Sequence, residues 1–118
     1  MVTLKRAYEP ATTSDGTRYL VERLWPRGVK KTALRIDAWL KDIAPSTKLR
    51  QWFNHDPKKW PEFQRRYRQE LSSNPDGLGF ILGAARKGKV TLVYSSRDSV
   101  HNCAVALKKY LDKKLTKS

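Results

Sequence analysis

The sequence predicts an α/β domain in which a small, mainly parallel central sheet is flanked by helices. Three observations carry that prediction. Val90-Thr91-Leu92-Val93-Tyr94 is a near-continuous apolar run, the character of a strand buried on both faces. Trp60, Phe63, Tyr67 and Leu71 recur at spacings of three and four, one stripe of a helix. Helical and strand-like segments also alternate with short connections, the pattern of helices layered on a sheet. At 118 residues, 39% of them hydrophobic, the chain suits a single core. No repeat or linker divides it, so it reads as one α/β domain over 1–112 followed by a basic tail over 113–118.

The elements follow in order. Val2 to Ala7 reads as a strand leading to Pro10 and a turn-rich stretch that ends in Asp15-Gly16. Arg18 to Leu24 is strand-like and bounded by Pro26 and Gly28, with a short helix as the alternative. Ile36, Trp39, Leu40 and Ile43 then recur at i, i+3, i+4 and i+7, the face of a helix stopped by Pro45. Ser46 is placed to cap a helix carrying Leu49, Trp52 and Phe53. Asp56-Pro57 supplies a capping carboxylate and a first-turn proline for the helix of the Trp60 stripe. Ser72 to Gly77 reads as a break, and Leu78 to Lys87 as a helix closed by Gly88 in a left-handed conformation. After the Val90–Tyr94 strand, a last helix carries Val100, Cys103, Ala104, Leu107 and Leu111 on one side.

Composition sets outer bounds on function. Twenty-five Lys and Arg stand against 11 Asp and Glu, a formal net charge of +14 that draws polyanions without specifying which. Cys103 is the single cysteine, so an intramolecular disulfide and a multi-cysteine metal site are excluded. The N-terminus lacks the apolar stretch of a signal peptide, and no apolar run approaches the ~20 residues of a membrane helix. The expectation is a cytoplasmic protein that does not enter a membrane. His55 and His101 have no ligand-spaced companions, so no metal is expected. Glycine-rich P-loop, dinucleotide fingerprint, Gly-x-Ser-x-Gly elbow and Cys-x5-Arg cradle are all missing, and no cofactor is assigned.

The most informative junction is Tyr94 to Asn102, where a buried strand meets a polar loop and then a helix. In open α/β sheets, ligands bind beyond the carboxyl ends of the strands, and a helix N-terminus there favours phosphate or carboxylate. Ser95, Ser96 and Arg97 would add donors, and His101 in the first helical turn would serve as donor or proton shuttle. The bland alternative is simple capping by Asp98 or Ser99. Arg23 and Arg27, flanking Trp25-Pro26, would reach the same edge in a parallel sheet and clamp an oxyanion. His55, just before the Asp56 cap, would orient a ligand or a loop. Cys103 shares the apolar side of the last helix, so it reads as an inert core thiol.

Four strings together carry a family resemblance: Arg23-Leu24-Trp25-Pro26-Arg27-Gly28, Trp39 to Ser46, Trp52-Phe53-Asn54-His55-Asp56-Pro57 and Arg97 to Asn102. The chain resembles the YeaO-like bacterial proteins, a domain-of-unknown-function family numbered 488, from about Leu4 to Leu111. The resemblance implies no established activity. Longer relatives carry a Cys-His-Arg run where this chain has Asn102-Cys103-Ala104, so thiol chemistry does not transfer. It adds weight to Arg23, Arg27, Ser46, Arg50, His55, Arg97, Asp98, His101 and Asn102.

Two functions compete on these grounds. One is an enzyme or binder for a phosphate-bearing small molecule such as a nucleotide. Arg23, Arg27, Ser46, Arg50, Ser95, Ser96, Arg97 and Asn102 would hold the ligand, and His101, His55 and Asp98 would handle protons. The other is a nucleic-acid-binding accessory protein gripping phosphates through Arg65, Arg66, Arg68 and the lysine tail. A purely structural partner role finds no exposed apolar stripe to support it.

Overall fold

The computed structural model describes residues 1–116. Four strands, β1 (Val2–Arg6), β2 (Thr17–Leu20), β3 (Ala38–Trp39) and β4 (Val90–Tyr94), form one sheet in the spatial order β1-β4-β2-β3. Every pairing is parallel. Among the described residues the sheet is joined by five α-helices: α1 (Lys31–Leu34), α2 (Thr47–Phe53), α3 (Trp60–Ser72), α4 (Pro75–Lys87) and α5 (Cys103–Thr116).

β4 is the central strand, with Val90 opposite both Val2 and Thr17, and all five of its residues are buried. Its side chains alternate between two apolar layers, as strand geometry requires. Val90, Leu92 and Tyr94 join Tyr19, Val21 and the stripes of α3, α4 and α5 in the larger core. Val93 points the other way, to Leu20, Leu34 and Ala7. The α3 stripe is buried along its length, and Phe53 stacks on Phe63 at 4.3 Å. The Tyr67 hydroxyl, deep in that core, donates to the Ile43 carbonyl at 2.6 Å. Fully burying each large side chain contributes about 1.5–3 kcal/mol, so this layer dominates stability.

A second buried feature is polar. Arg18 and Asp15, at the amino end of β2, are both buried and pair at 2.6 Å. Lys5 adds a second ion pair to Asp15, Arg18 also donates twice to the Leu34 carbonyl, and the Thr91 hydroxyl donates to the Asp15 carbonyl. Burial pushes the Asp15 carboxyl up. The Thr12 amide, Lys5, the Thr12 hydroxyl and Arg18 outweigh it and hold the carboxyl well below the usual range.

The structure corrects the sequence reading in several places. Ile36, Trp39, Leu40 and Ile43 do not share a helix: Ala38–Trp39 is a sheet strand, followed by a 3₁₀ turn over Lys41–Ile43. The Asp37 amide donates to the Arg18 carbonyl and the Leu40 amide to the Leu20 carbonyl, so pairing with β2 wins over a local helix. β2 ends at Leu20, and Leu24 lies 62% exposed. α4 begins at Pro75, because Asn74 accepts from the Gly77 amide and caps it, which leaves only Ser73-Asn74 between α3 and α4. Gly88 is extended (φ 175°), not left-handed. Gly16 is the glycine that the fold needs: its φ is 66°, and a Cβ there would lie 2.3 Å from the Lys89 carbonyl oxygen. Val100 precedes α5 and is exposed, whereas Lys113 and Lys114 continue that helix past residue 112.

Candidate ligand-binding cleft

The chain leaves β2 and β4 at the same edge of the sheet. The segment after β2, the loop after β4 and the carboxyl end of α2 surround a cleft of about 350 Å³. Arg23, Arg27, Arg50, His55, Ser95, Ser96, His101 and Asn102 all line it, together with Glu22 and Tyr8. Arginines far apart in sequence therefore line the same cleft as His101.

These side chains differ in what they already do. Arg23 is committed to structure: Nε donates to the Pro45 carbonyl at 2.7 Å and Nη2 to the Ala44 carbonyl at 3.4 Å. The guanidiniums of Arg27 and Arg50, and the ring of His55, have no hydrogen-bond or ion-pair partner among the described residues. His55 follows Asn54 in left-handed backbone, at φ 56° after φ 46°. Asn54 is the left-handed cap of α2, a conformation Asn tolerates, whereas His55 at positive φ costs about 1–2 kcal/mol.

The opposite wall is internally satisfied. Glu22 Oε1 accepts from the Ser95 amide at 3.1 Å and the Ser95 hydroxyl at 2.7 Å. Ser96 Oγ accepts from the Asp98 amide, while Arg6 donates to the carbonyls of both serines. Asp98 accepts from the amides of Val100 and His101 and from His101 Nδ1 at 2.9 Å. These bonds, the amide of His101 foremost, hold its carboxyl at about 2. An ionised carboxylate only accepts, so Nδ1 of His101 carries the proton and Nε2 is the acceptor of the neutral ring. The ring also meets Trp60 edge-on at 5.4 Å.

Several expectations change on this geometry. His101 lies ahead of α5 rather than in its first turn, because the helix starts at Cys103. Asn102 is the cap: its side chain accepts from the Val105 amide and donates to the Asp98 carbonyl, a role first given to Asp98 or Ser99. An anion at this helix end would find the Ser95 donors taken by Glu22. Arg97 is exposed and does not line the cleft. Ser46 is also absent from it: it caps α2 by accepting from the Leu49 amide and donates to Glu70 at 2.7 Å.

Ser46 and Glu70 belong to a wider groove of about 690 Å³ along α2 and α3. Within it Ser46 donates to Glu70, and Asn74 donates to the Asp42 carbonyl. Cys103 sits at the cleft floor with its thiol 3.6 Å from the Val21 carbonyl. Burial, then the charge of Glu22, push the thiol well above the cysteine range, so it stays protonated and unreactive.

Sequence reasoning missed Glu22 and Tyr8. Glu22 carries no motif; its one signal is an acid at a strand's carboxyl end, beside two candidate arginines. Tyr8 donates to the Arg27 carbonyl at 3.0 Å, and Arg6 lies over its ring at 5.1 Å, so the end of β1 braces the cleft rim. Among the described residues no group of three or more His, Cys, Asp or Glu can hold a metal ion, and no helix is long and apolar enough to cross a membrane.

A parallel α/β sheet with a polar cleft at its carboxyl edge defines the class of protein. The family is equally definite: the chain belongs to the YeaO-like DUF488 family, and the family model described as the inactive DUF488-N3 subclade matches residues 1–118. It is 42% identical over 107 residues to the uncharacterized protein YeaO of Escherichia coli, covering 91% of this chain and 93% of that one. It is 36% identical over 111 residues to uncharacterized proteins of Mycobacterium bovis and Mycobacterium tuberculosis, covering 94% of this chain and 93% of each. No solved structure matches it.

Proposed function

We propose that the chain binds a small phosphate-bearing molecule in the cleft, with the phosphate held by Arg27, Arg50 and His55. One observation carries this reading: those three side chains line one cleft with no partner among the described residues, while Arg23, Ser95 and Asn102 beside them are already paired. Guanidinium suits phosphate because its planar fork donates two parallel hydrogen bonds. His101, oriented by Asp98, adds a further polar group. Binding is favoured over catalysis because the matching subclade is described as inactive. A single cysteine, with no internal disulfide to form, fits a cytoplasmic setting.

The nucleic-acid reading has weaker support. Arg65 and Arg66, the core of the basic helix, both grip Glu62, and Arg66 lies over Trp52 at 4.1 Å. Calorimetric titration of phosphate monoesters tests the preferred reading. Arg27→Ala or Arg50→Ala should each weaken binding at least ~10-fold, since a charge-assisted hydrogen bond contributes about 1.5–3 kcal/mol. Unchanged affinity in both variants would remove the phosphate from this wall.

A further inference from the structure

We infer that Glu22 selects, among phosphate ligands, those that carry hydroxyl groups, so that the cleft is built for a sugar phosphate. The inference rests on the phosphate reading above and adds the rest of the ligand to it.

Glu22 follows the end of β2 by two residues and lines the cleft. Its carboxylate is fixed through one oxygen only, because Oε1 takes both Ser95 bonds. Oε2 has no partner among the described residues. No cation neutralises the group: Arg23, its sequence neighbour, is turned to the Ala44 and Pro45 carbonyls. An oriented carboxylate with a spare oxygen repels phosphate and accepts a donor. The ligand must therefore present a hydroxyl or an ammonium at this point. Three arginines line the same cleft against this one carboxylate, and their field disfavours an ammonium. A neutral hydroxyl meets both demands. An acidic side chain at a strand end that holds a sugar hydroxyl is a known solution in nucleotide-binding sheets.

Size agrees. A volume of about 350 Å³ lies near the lower end of the roughly 300–1,000 Å³ of small-molecule sites. It accommodates one sugar ring with its phosphate rather than a polymer. Tyr8, 49% exposed, and Leu24 form an apolar rim at the mouth.

Calorimetry with two probes decides the matter: ribose 5-phosphate and propyl phosphate, which share a phosphate monoester but differ in hydroxyls. The wild-type protein should bind ribose 5-phosphate at least ~10-fold more tightly. Glu22→Gln keeps an acceptor for Ser95 and removes the charge, so the preference should shrink to less than about threefold while propyl phosphate affinity holds or rises. Equal wild-type affinities for the two probes overturn the hydroxyl inference and leave the phosphate reading standing. A preference that survives Glu22→Gln also overturns it. Failure of both probes to bind removes the phosphate reading itself. The wild-type comparison stands even where the variant does not fold.

Discussion

The two ends of β2 carry the same kinds of side chain and treat them in opposite ways. At the amino end, Asp15, Arg18, Lys5 and Thr12 are closed on one another, and Arg18 and Asp15 are withdrawn from water. At the carboxyl end, Glu22 uses one of its two oxygens, and Arg27, Arg50 and His55 use none of their donors on protein partners. On the proposed reading, the difference separates scaffold from candidate site. A buried polar group must be satisfied at once, because leaving it unpaired is costly, and no such side-chain atom is left without a partner among the described residues. Accessible groups at the strand ends can wait for a ligand.

The contrast is broken most severely by Asp15→Ala. That change leaves the Arg18 guanidinium buried without its countercharge and should cost about 3–5 kcal/mol in a urea denaturation. A loss below 1 kcal/mol would show that Asp15 does not anchor the amino end. Acid attacks the same group in the wild-type protein. Its carboxyl is held below the usual range when folded, so the stabilisation is whole above about pH 4 and fades as pH falls further. Denaturation midpoints measured from pH 6 down to pH 2 should show that decline, and Asp15→Asn should flatten it.

The carboxyl end should respond in the reverse sense. Arg27→Ala and Arg50→Ala remove exposed, unpartnered cations and should leave unfolding free energy within about 0.5 kcal/mol of wild type, while phosphate affinity falls. A large stability loss would move these arginines into the scaffold. The smallest effect is on His101. Asp98→Asn removes the ionised acceptor of Nδ1–H, so the nitrogen shifts of the ring should move from one dominant tautomer towards a mixture. An unchanged tautomer would mean that Asp98 does not orient the ring.

Much of the fold was legible because single elements carried unambiguous physics. β4 is buried on both faces and reads so, and the Trp60-Phe63-Tyr67-Leu71 stripe is a helix face in sequence and in space. β3 was illegible: two residues pair with β2, while Ile36, Trp39, Leu40 and Ile43 imitate helical spacing. Partners distant in sequence settled that segment, which local periodicity does not see. Part of the cleft lining was legible as residues, though Ser46 and Arg97 fall outside it, and the side-chain roles were not. Arg23, Arg27, Ser95 and His101 meet at one edge because parallel strands deliver their loops there. That Arg23 is spent on carbonyls, that Asn102 rather than Asp98 caps α5, and that Glu22 claims Ser95 all depend on side-chain partners chosen after the chain folds.

A crystal of the protein grown or soaked with inorganic phosphate tests the central claim most directly. The anion should sit between the guanidiniums of Arg27 and Arg50, with donor-to-oxygen distances of about 2.7–2.9 Å and the His55 ring alongside. An anion seated instead on Arg65 and Arg68, or a cleft still empty at concentrations that saturate binding in solution, would contradict it.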